Sequence, residues 1–221
     1  MVLALLFPLR CPGCGVLAEP VCDRCALELR PAEVAPPPPG VDRWVAAFAY
    51  EGVAADLIAG VKYRSARAAV PWLADAVLAA RPGDAPEPDV VTWAPTTRAR
   101  IRGRGIDHAS VLARAVARRL RCPVRPLLRR GPGPPQTGAP RAARSGVRFT
   151  ARFTARAAAA RVLVVDDVAT TGATLSAAAI ALRAVGAREV DALTAGRTPA
   201  RGSTTSALGE SRMVQPRSVG N

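Results

Sequence analysis

The residues best suited to chemistry are two adjacent carboxylates followed by a run of small and hydroxyl-bearing side chains. Asp166 and Asp167 follow the apolar residues 162–165, a run typical of a central parallel strand, and open α/β sheets bind ligands where such strands end. Carboxylate oxygens accept hydrogen bonds from a vicinal diol such as the 2- and 3-hydroxyls of a ribose. Beyond them, small side chains and a predicted helix start bring backbone N–H groups to an anion. The pattern predicts a pocket for a sugar phosphate.

We expect Asp166 and Asp167 to be the catalytic pair that orients the ribose. The residues expected to hold the phosphate and ribose are Val168, Ala169, Thr170, Thr171, Gly172, Ala173 and Thr174. The segment closely resembles the phosphoribosyl pyrophosphate (PRPP) motif of type I phosphoribosyltransferases, which implies PRPP as ligand, accompanied by Mg²⁺. The alternative is a strand–helix turn of another α/β protein, with aspartates that bind Mg²⁺ or cap the helix. No GxxxxGK[ST] motif is present, and no GxGxxG motif opens a helix after a strand.

Cationic side chains for a pyrophosphate leaving group follow the predicted strand 90–94. Arginine occupies every second position from 98 to 104, and Arg102 and Arg104 are the candidates, because guanidinium forks bind phosphate oxygens well. Residues 136–144 carry further arginines in a long loop, which is often a functional lid. Alternatively, the arginines of both segments are solvent-exposed surface residues without a role in binding. His108, the only histidine, is interpreted as a cap or surface residue.

Four cysteines near the N-terminus form two CxxC pairs, Cys11 with Cys14 and Cys22 with Cys25. Two such pairs place four thiolates around a tetrahedral Zn²⁺, and a site filled by protein ligands is structural. Metal binding would supply folding energy to a segment too small to fold alone. A redox CxxC or an iron–sulfur site is the alternative. The fifth cysteine, Cys122, is predicted to be a small buried residue.

The chain has 221 residues and a net charge of +14, carried by many arginines and a single lysine. This charge favours polyanionic ligands such as nucleic acid, pyrophosphate or nucleotide, although an arginine- and alanine-rich composition also follows from GC-rich coding sequence. No segment is long enough to span a membrane, and residues 1–7 make a poor signal peptide because no basic region precedes them. We expect a cytoplasmic protein.

Strand and helix patterns alternate along the chain, which predicts an α/β fold with a parallel sheet flanked by helices. Strands are predicted at residues 44–50, 90–94, 124–128, 162–165 and 190–195. Helices are predicted at residues 54–61, 72–80 and 109–120, and from the phosphate site to residue 185, where Gly186 is the stop signal. The predicted organisation is a zinc-ribbon-like module (1–35), a proline-rich linker (36–40), a main domain (41–197) and a disordered tail (198–221).

The order of these motifs resembles the ComF family, also called competence protein F or GntX-like. The likeness runs over residues 3 to 197 through LLFPLRCPGCG, CDRC, GVKYRS, WAPTTRARIRGRGIDHA, QTGAPRAAR and VLVVDDVATTGATL. It implies a type I phosphoribosyltransferase fold with a zinc-ribbon-like module. It also implies a role in DNA uptake, with single-stranded DNA and uptake proteins as partners. Where the family often has RGFNQ, this chain has RGIDH, a departure on the acceptor side that leaves the phosphate pocket intact.

Three functions compete at this point. The first is an enzyme that binds PRPP and Mg²⁺ and transfers the ribosyl group to a nucleophile, by positioning and electrostatics. The second is a non-catalytic module that binds single-stranded DNA, mainly through its phosphates because aromatic residues are only 4% of the chain. The third is a ligand-sensing regulator on the same fold, which is the weakest because no helix-turn-helix pattern is present.

Overall fold

The computed structural model describes residues 10–18, 20–61, 68–97, 101–103, 106–131, 147–152 and 159–199. Its strands are β1 (Arg43–Ala49), β2 (Val90–Trp93), β3 (Leu128–Arg130), β4 (Phe149–Ala151), β5 (Arg161–Ala169) and β6 (Glu189–Arg197). Its helices are α1 (Asp23–Glu28), α2 (Gly52–Gly60), α3 (Val70–Ala79), α4 (His108–Arg119) and α5 (Ala173–Ala184). Four strands form a parallel sheet in the order β1-β6-β5-β2, and β3 pairs with β4 in an antiparallel ribbon.

Both faces of the parallel sheet are buried, and β5 shows how its sequence achieves this. Leu163 and Val165 pack into a core with residues of α2, α3 and α4, whereas Val162 and Val164 pack on the opposite face with residues of α5. Because successive strand side chains point to opposite faces, a continuous apolar run is what a strand between two helical layers requires. The arrangement fixes the carboxyl ends of β2, β5 and β6 along one edge.

Both outer strands of the sheet are covered. Residues 30–32 pair with β1, through an antiparallel bridge between Pro31 and Phe48 and a hydrogen bond from Ala32 N to Ala47 O. On the other side, Val124 forms a parallel bridge with Val91 of β2. Covered edges remove the unpaired backbone groups that otherwise promote strand-to-strand association.

The predicted alternation of strands and helices is confirmed, with two corrections to strand bounds. The expected strand at residues 124–128 is reduced to the bridge at Val124. The observed strand in this region, β3, begins only at Leu128, because it pairs with β4 and not with the main sheet. The expected strand at 162–165 extends to Ala169, because β6 continues beside it. The lid residues 136–144 and residues 200–221 of the predicted tail lie outside the described residues.

The N-terminal residues contact the main sheet's helices directly. Pro12 lies against Gly60 at the end of α2, so closely that a β-carbon at Gly60 would overlap its backbone. Pro38, in the segment predicted as a linker, is buried against Gly172 at the start of α5. Among the described helices, none is long and apolar enough to cross a membrane.

Candidate active site

A cavity of about 330 Å³ opens at the carboxyl ends of the central strands. Its walls come from the ends of β1, β2 and β5, from the starts of α4 and α5, and from β3. The lining residues used below are Tyr50, Thr96, Asp107, Arg130, Asp166, Asp167, Thr170 and Thr174. The cavity therefore brings together both predicted catalytic aspartates and two of the predicted phosphate-binding threonines.

Asp166 and Asp167 lie inside β5, and not beyond its end as the sequence predicts. Asp166 Oδ1 accepts a hydrogen bond from Asp167 N at 2.9 Å, and Asp167 Oδ1 accepts one from Val168 N at 2.8 Å. Burial, followed by the charge of Asp167, raises the pKa of Asp166 well above its usual range. Burial of an acidic side chain in a cavity lowers the stability of the folded protein. A buried acid of this kind is therefore typical of a functional site.

The phosphate loop, residues 170–174, joins β5 to α5. Gly172 is the N-cap of α5 and has φ of 73°, a left-handed conformation that glycine adopts without strain. Thr171 Oγ1 accepts a hydrogen bond from Ala173 N at 3.4 Å, which tightens the turn. Val168, Thr170 and Thr174 line the cavity, whereas Ala169 is buried at the end of β5. The loop presents hydroxyl groups at the start of a helix, where an anion is favoured.

Replacing Gly172 by Ala is expected to disturb the phosphate loop. A β-carbon there would lie 2.5 Å from Pro38 Cγ, and the positive φ adds backbone strain. Overpacking costs about 1–3 kcal/mol, and we expect a lower melting temperature together with weaker binding of PRPP. In the double variant Gly172→Ala, Pro38→Ala the ring is absent, so part of the stability should return. If Pro38→Ala restores nothing, the contact between the two segments is not the cause.

Arg130 supplies a cation to the cavity wall that the sequence analysis missed. Its Nη1 donates a hydrogen bond to Pro95 O at 3.3 Å, and its guanidinium carbon lies 5.6 Å from the centre of the Phe149 ring. Arg102 lies in a helical turn at residues 101–103, is exposed and is not among the lining residues, and Arg104 lies outside the described residues. Only the pairing of β3 with β4, which places Arg130 beside Phe149, indicates that Arg130 belongs to the site, and the local sequence does not show this pairing.

Three further lining residues were not predicted as site residues: Tyr50, Thr96 and Asp107. Tyr50 follows β1, and its ring lies so close to Gly196 that a β-carbon there would be 3.0 Å from Cδ2. Asp107 accepts hydrogen bonds from Trp93 Nε1 at 3.3 Å and from Thr96 N at 3.2 Å. Tyr50 and Thr96 closely follow the ends of β1 and β2, which is a sequence signal that they share, whereas Asp107 directly precedes α4.

The four N-terminal cysteines converge as predicted. Their sulfur atoms all lie within 4.8 Å of one another, and Cys11 and Cys25 are buried. A tetrahedral Zn²⁺ with Zn–S bonds of about 2.3 Å places its sulfurs roughly 3.8 Å apart, so this donor set fits one such ion. Burial raises the pKa of Cys11, but backbone N–H groups of Cys22, Cys14 and Gly13 hold it down to about 6, whereas burial and the neighbouring thiols raise the pKa of Cys25. A thiol that ionises readily is suited to bind a metal.

Comparison with known proteins assigns the fold. Residues 106–207 match the family described as phosphoribosyl transferase domain, a stretch that includes Arg130, β5, the phosphate loop and α5. The parallel sheet flanked by helices is thus a phosphoribosyltransferase-type fold. A search of curated protein sequences gives no significant match.

Two solved structures show partial similarity to this chain. One is described as the allosteric regulatory enzyme of purine biosynthesis: identity is 25%, the TM-score is 0.42, and the alignment covers 59% of this chain and 26% of that one. The other is the purine phosphoribosyltransferase from Pyrococcus horikoshii Ot3, with 21% identity, a TM-score of 0.34, and coverage of 56% of this chain and 67% of that one. The chain therefore spans about a quarter of the first protein's length.

Proposed function

We propose that this chain is a phosphoribosyltransferase that binds Mg²⁺–PRPP in the cavity and transfers the phosphoribosyl group to a nucleophile. The observation that carries the proposal is that Asp166 and Asp167 share one cavity with Thr170 and Thr174 of the phosphate loop. Carboxylates for the ribose hydroxyls and hydroxyls for the 5-phosphate are thereby set a few residues apart on one strand–helix turn. Transfer from PRPP is catalysed mainly by such positioning and by stabilising developing charge.

In the proposed reaction each group has one task. Asp166 and Asp167 accept hydrogen bonds from the ribose hydroxyls, and the phosphate loop donates hydrogen bonds to the 5-phosphate. Arg130 neutralises the departing pyrophosphate at the cavity wall. Arg102 and Arg104 remain candidates for the same task from the sequence, although Arg102 is exposed and does not line the wall. The described wall carries three carboxylates but one guanidinium, so PRPP, itself an anion, is expected to enter only as its Mg²⁺ complex.

Replacing Arg130 by Ala tests the proposal at the pyrophosphate side. Hydrogen bonds to charged groups contribute about 1.5–3 kcal/mol, so removal of the guanidinium should weaken Mg²⁺–PRPP binding by at least tenfold. Calorimetric titration of the wild type and the variant measures this. Arg129→Ala is the matched control. Arg129 is the neighbouring exposed arginine on the same strand, so its replacement removes the same charge outside the cavity. Absence of Mg²⁺–PRPP binding by the wild type contradicts the proposed function.

The finer assignment that we propose is a ComF-like protein. The order of its motifs, from the CxxC pairs to the phosphate loop, supports it, and so does the convergence of the four cysteines. In this proposal residues 1–35 are a structural zinc-ribbon-like module, 36–40 a linker, 41–197 the transferase domain and 198–221 a tail. The protein acts in DNA uptake or nucleotide metabolism in the cytoplasm, a reducing compartment where thiolates stay available for metal.

A second candidate function is binding of single-stranded DNA without catalysis, which the net charge of +14 favours. Several aromatic side chains are already engaged: Phe48 stacks on Trp72 at 6.2 Å, and Arg197 lies over Trp44 at 5.5 Å. Base stacking therefore contributes little, and binding should depend on phosphate contacts and weaken steeply with salt, with a log–log slope of about −0.7 for each phosphate contacted. A titration of labelled oligonucleotide at several salt concentrations tests this, and an affinity that is insensitive to salt contradicts it.

A further inference from the structure

Asp107 is the N-cap residue of α4 but does not cap it. An N-cap aspartate ordinarily accepts a hydrogen bond from a backbone N–H of the first helical turn. Here the side chain makes no such bond. Its Oδ2 instead accepts hydrogen bonds from Trp93 Nε1 and Thr96 N, both at the end of β2. The usual preference of an N-cap aspartate for helix capping is thus not followed at this cavity wall, which indicates that Asp107 has a role at the site.

The second carboxylate oxygen of Asp107 has no hydrogen-bond donor in the part of the chain that the structure describes. Oδ1 is buried and accepts no hydrogen bond from any described residue. Asp107 lines the same cavity as Asp166 and Asp167. Leaving a buried carboxylate oxygen without a donor is destabilising, and a ligand that brings an N–H or O–H group to it removes that cost.

The charges around Asp107 select the kind of ligand. Three carboxylates, those of Asp107, Asp166 and Asp167, and one guanidinium line the described wall, so an anionic nucleophile that carries no Mg²⁺ is repelled there. Burial, with a contribution from the charge of Asp167, raises the pKa of Asp107 despite the hydrogen bonds from Thr96 and Trp93. A carboxylate with a raised pKa is a stronger base than an exposed one.

We infer that Asp107 is a catalytic residue, and that the acceptor is an amine or an N–H heterocycle whose proton passes to Asp107 Oδ1. The inference rests on the proposed phosphoribosyl transfer. The nitrogen lone pair forms the bond to C1 of the ribose while the bond from C1 to pyrophosphate oxygen breaks, and that electron pair leaves with pyrophosphate. The acceptor N–H proton moves to Asp107 and is later released to water.

The test compares Asp107→Asn and Asp107→Ala with the wild type, using the full chain with its metal. Calorimetry measures Mg²⁺–PRPP binding. Pyrophosphate release is measured with ammonia, supplied from an ammonium salt, or adenine as the nucleophile, and with acetate as the anionic comparison. Asn keeps an oxygen for Trp93 and Thr96 but cannot take a proton. Trp93→Phe is the structural control, because it removes one donor to Oδ2 and leaves the carboxylate in place.

We expect ammonia or adenine, and not acetate, to accelerate pyrophosphate release by the wild type. Asp107→Asn should lower that rate by about 10²–10⁴-fold, the usual contribution of a general base, while Mg²⁺–PRPP binding is retained. Formate should partly restore the rate of Asp107→Ala, which a purely structural role does not predict. If the wild type binds no PRPP, the proposed function fails. If the wild type binds PRPP and a nucleophile accelerates pyrophosphate release, but Asp107→Asn keeps the same rate, only the assignment of Asp107 fails. If neither nucleophile accelerates release, the proposed acceptor class is wrong.

Discussion

Asp166→Asn is expected to weaken Mg²⁺–PRPP binding and, at neutral pH, to raise the melting temperature of the ligand-free protein. The first effect follows from the loss of a charged acceptor for a ribose hydroxyl. Hydrogen bonds to charged groups contribute about 1.5–3 kcal/mol, which corresponds to a loss of at least tenfold in affinity. Asn retains an oxygen for Asp167 N, which donates to Asp166 Oδ1 in the wild type, so the strand should keep its local geometry.

The second effect follows from the direction of the pKa shift. Burial and the charge of Asp167 raise the pKa of Asp166 in the folded protein, so the folded state holds its proton over a pH range where the unfolded state has lost it. Stability therefore falls as the pH rises from the usual aspartate value, about 3.9, to the raised value, and stays reduced above it. Asn cannot ionise, so the advantage of the variant should shrink as the pH is lowered towards 4.

Thermal melts between acidic and neutral pH, together with calorimetric titration of Mg²⁺–PRPP, check both effects. Asp84→Asn, at an exposed loop position, removes the same charge and should change neither the melting temperature nor the affinity. An Asp166→Asn protein that binds PRPP as the wild type does contradicts the assigned role. One that melts lower at neutral pH shows that the burial of this carboxylate is not the dominant cost.

The elements around the site were largely predictable from the sequence because they depend on local patterns. The apolar run 162–165 identifies a two-sided strand, and Gly186, with φ of 91°, ends α5 where the sequence has its stop signal. The end of β5 was not predictable. Asp166 pairs with Thr194 and Ala169 with Arg197, so the length of the strand depends on a partner that comes later in the chain.

The missed site residues share this cause. Arg130 enters the cavity wall because β3 pairs with β4, about twenty residues onward in the chain, and is held there by Pro95 O. From the sequence, His108 is interpreted as a cap or surface residue, whereas the fold makes Asp107 the N-cap residue of α4 and turns its carboxylate to Trp93 and Thr96. Gly172 suits a phosphate loop, but its contact with Pro38 joins segments more than a hundred residues apart. Such contacts come from tertiary packing, which no local pattern specifies.

Cys25→Ser is expected to abolish binding of zinc and to unfold the N-terminal module. Zinc-finger peptides gain about 10–16 kcal/mol from the metal, which is comparable to or larger than the stability of a typical domain, about 5–15 kcal/mol. Cys25 is buried in the core that includes Leu57 of α2, so the loss should also lower the melting temperature of the main body. Atomic absorption should find one zinc in the wild type and none in the variant.

The fifth cysteine provides the matched control for this prediction. Cys122 lies outside the cluster, and its Sγ donates a hydrogen bond to Pro88 O at 3.2 Å, which a serine hydroxyl can replace. Cys122→Ser should therefore keep its zinc and melt close to the wild type. A chelator should reproduce the Cys25→Ser melt in the wild type, and added zinc should reverse it. Pro12, between the first two cysteines of the cluster, packs on Gly60, so loss of the metal should remove support from α2. A main body that melts unchanged after chelation would contradict this coupling.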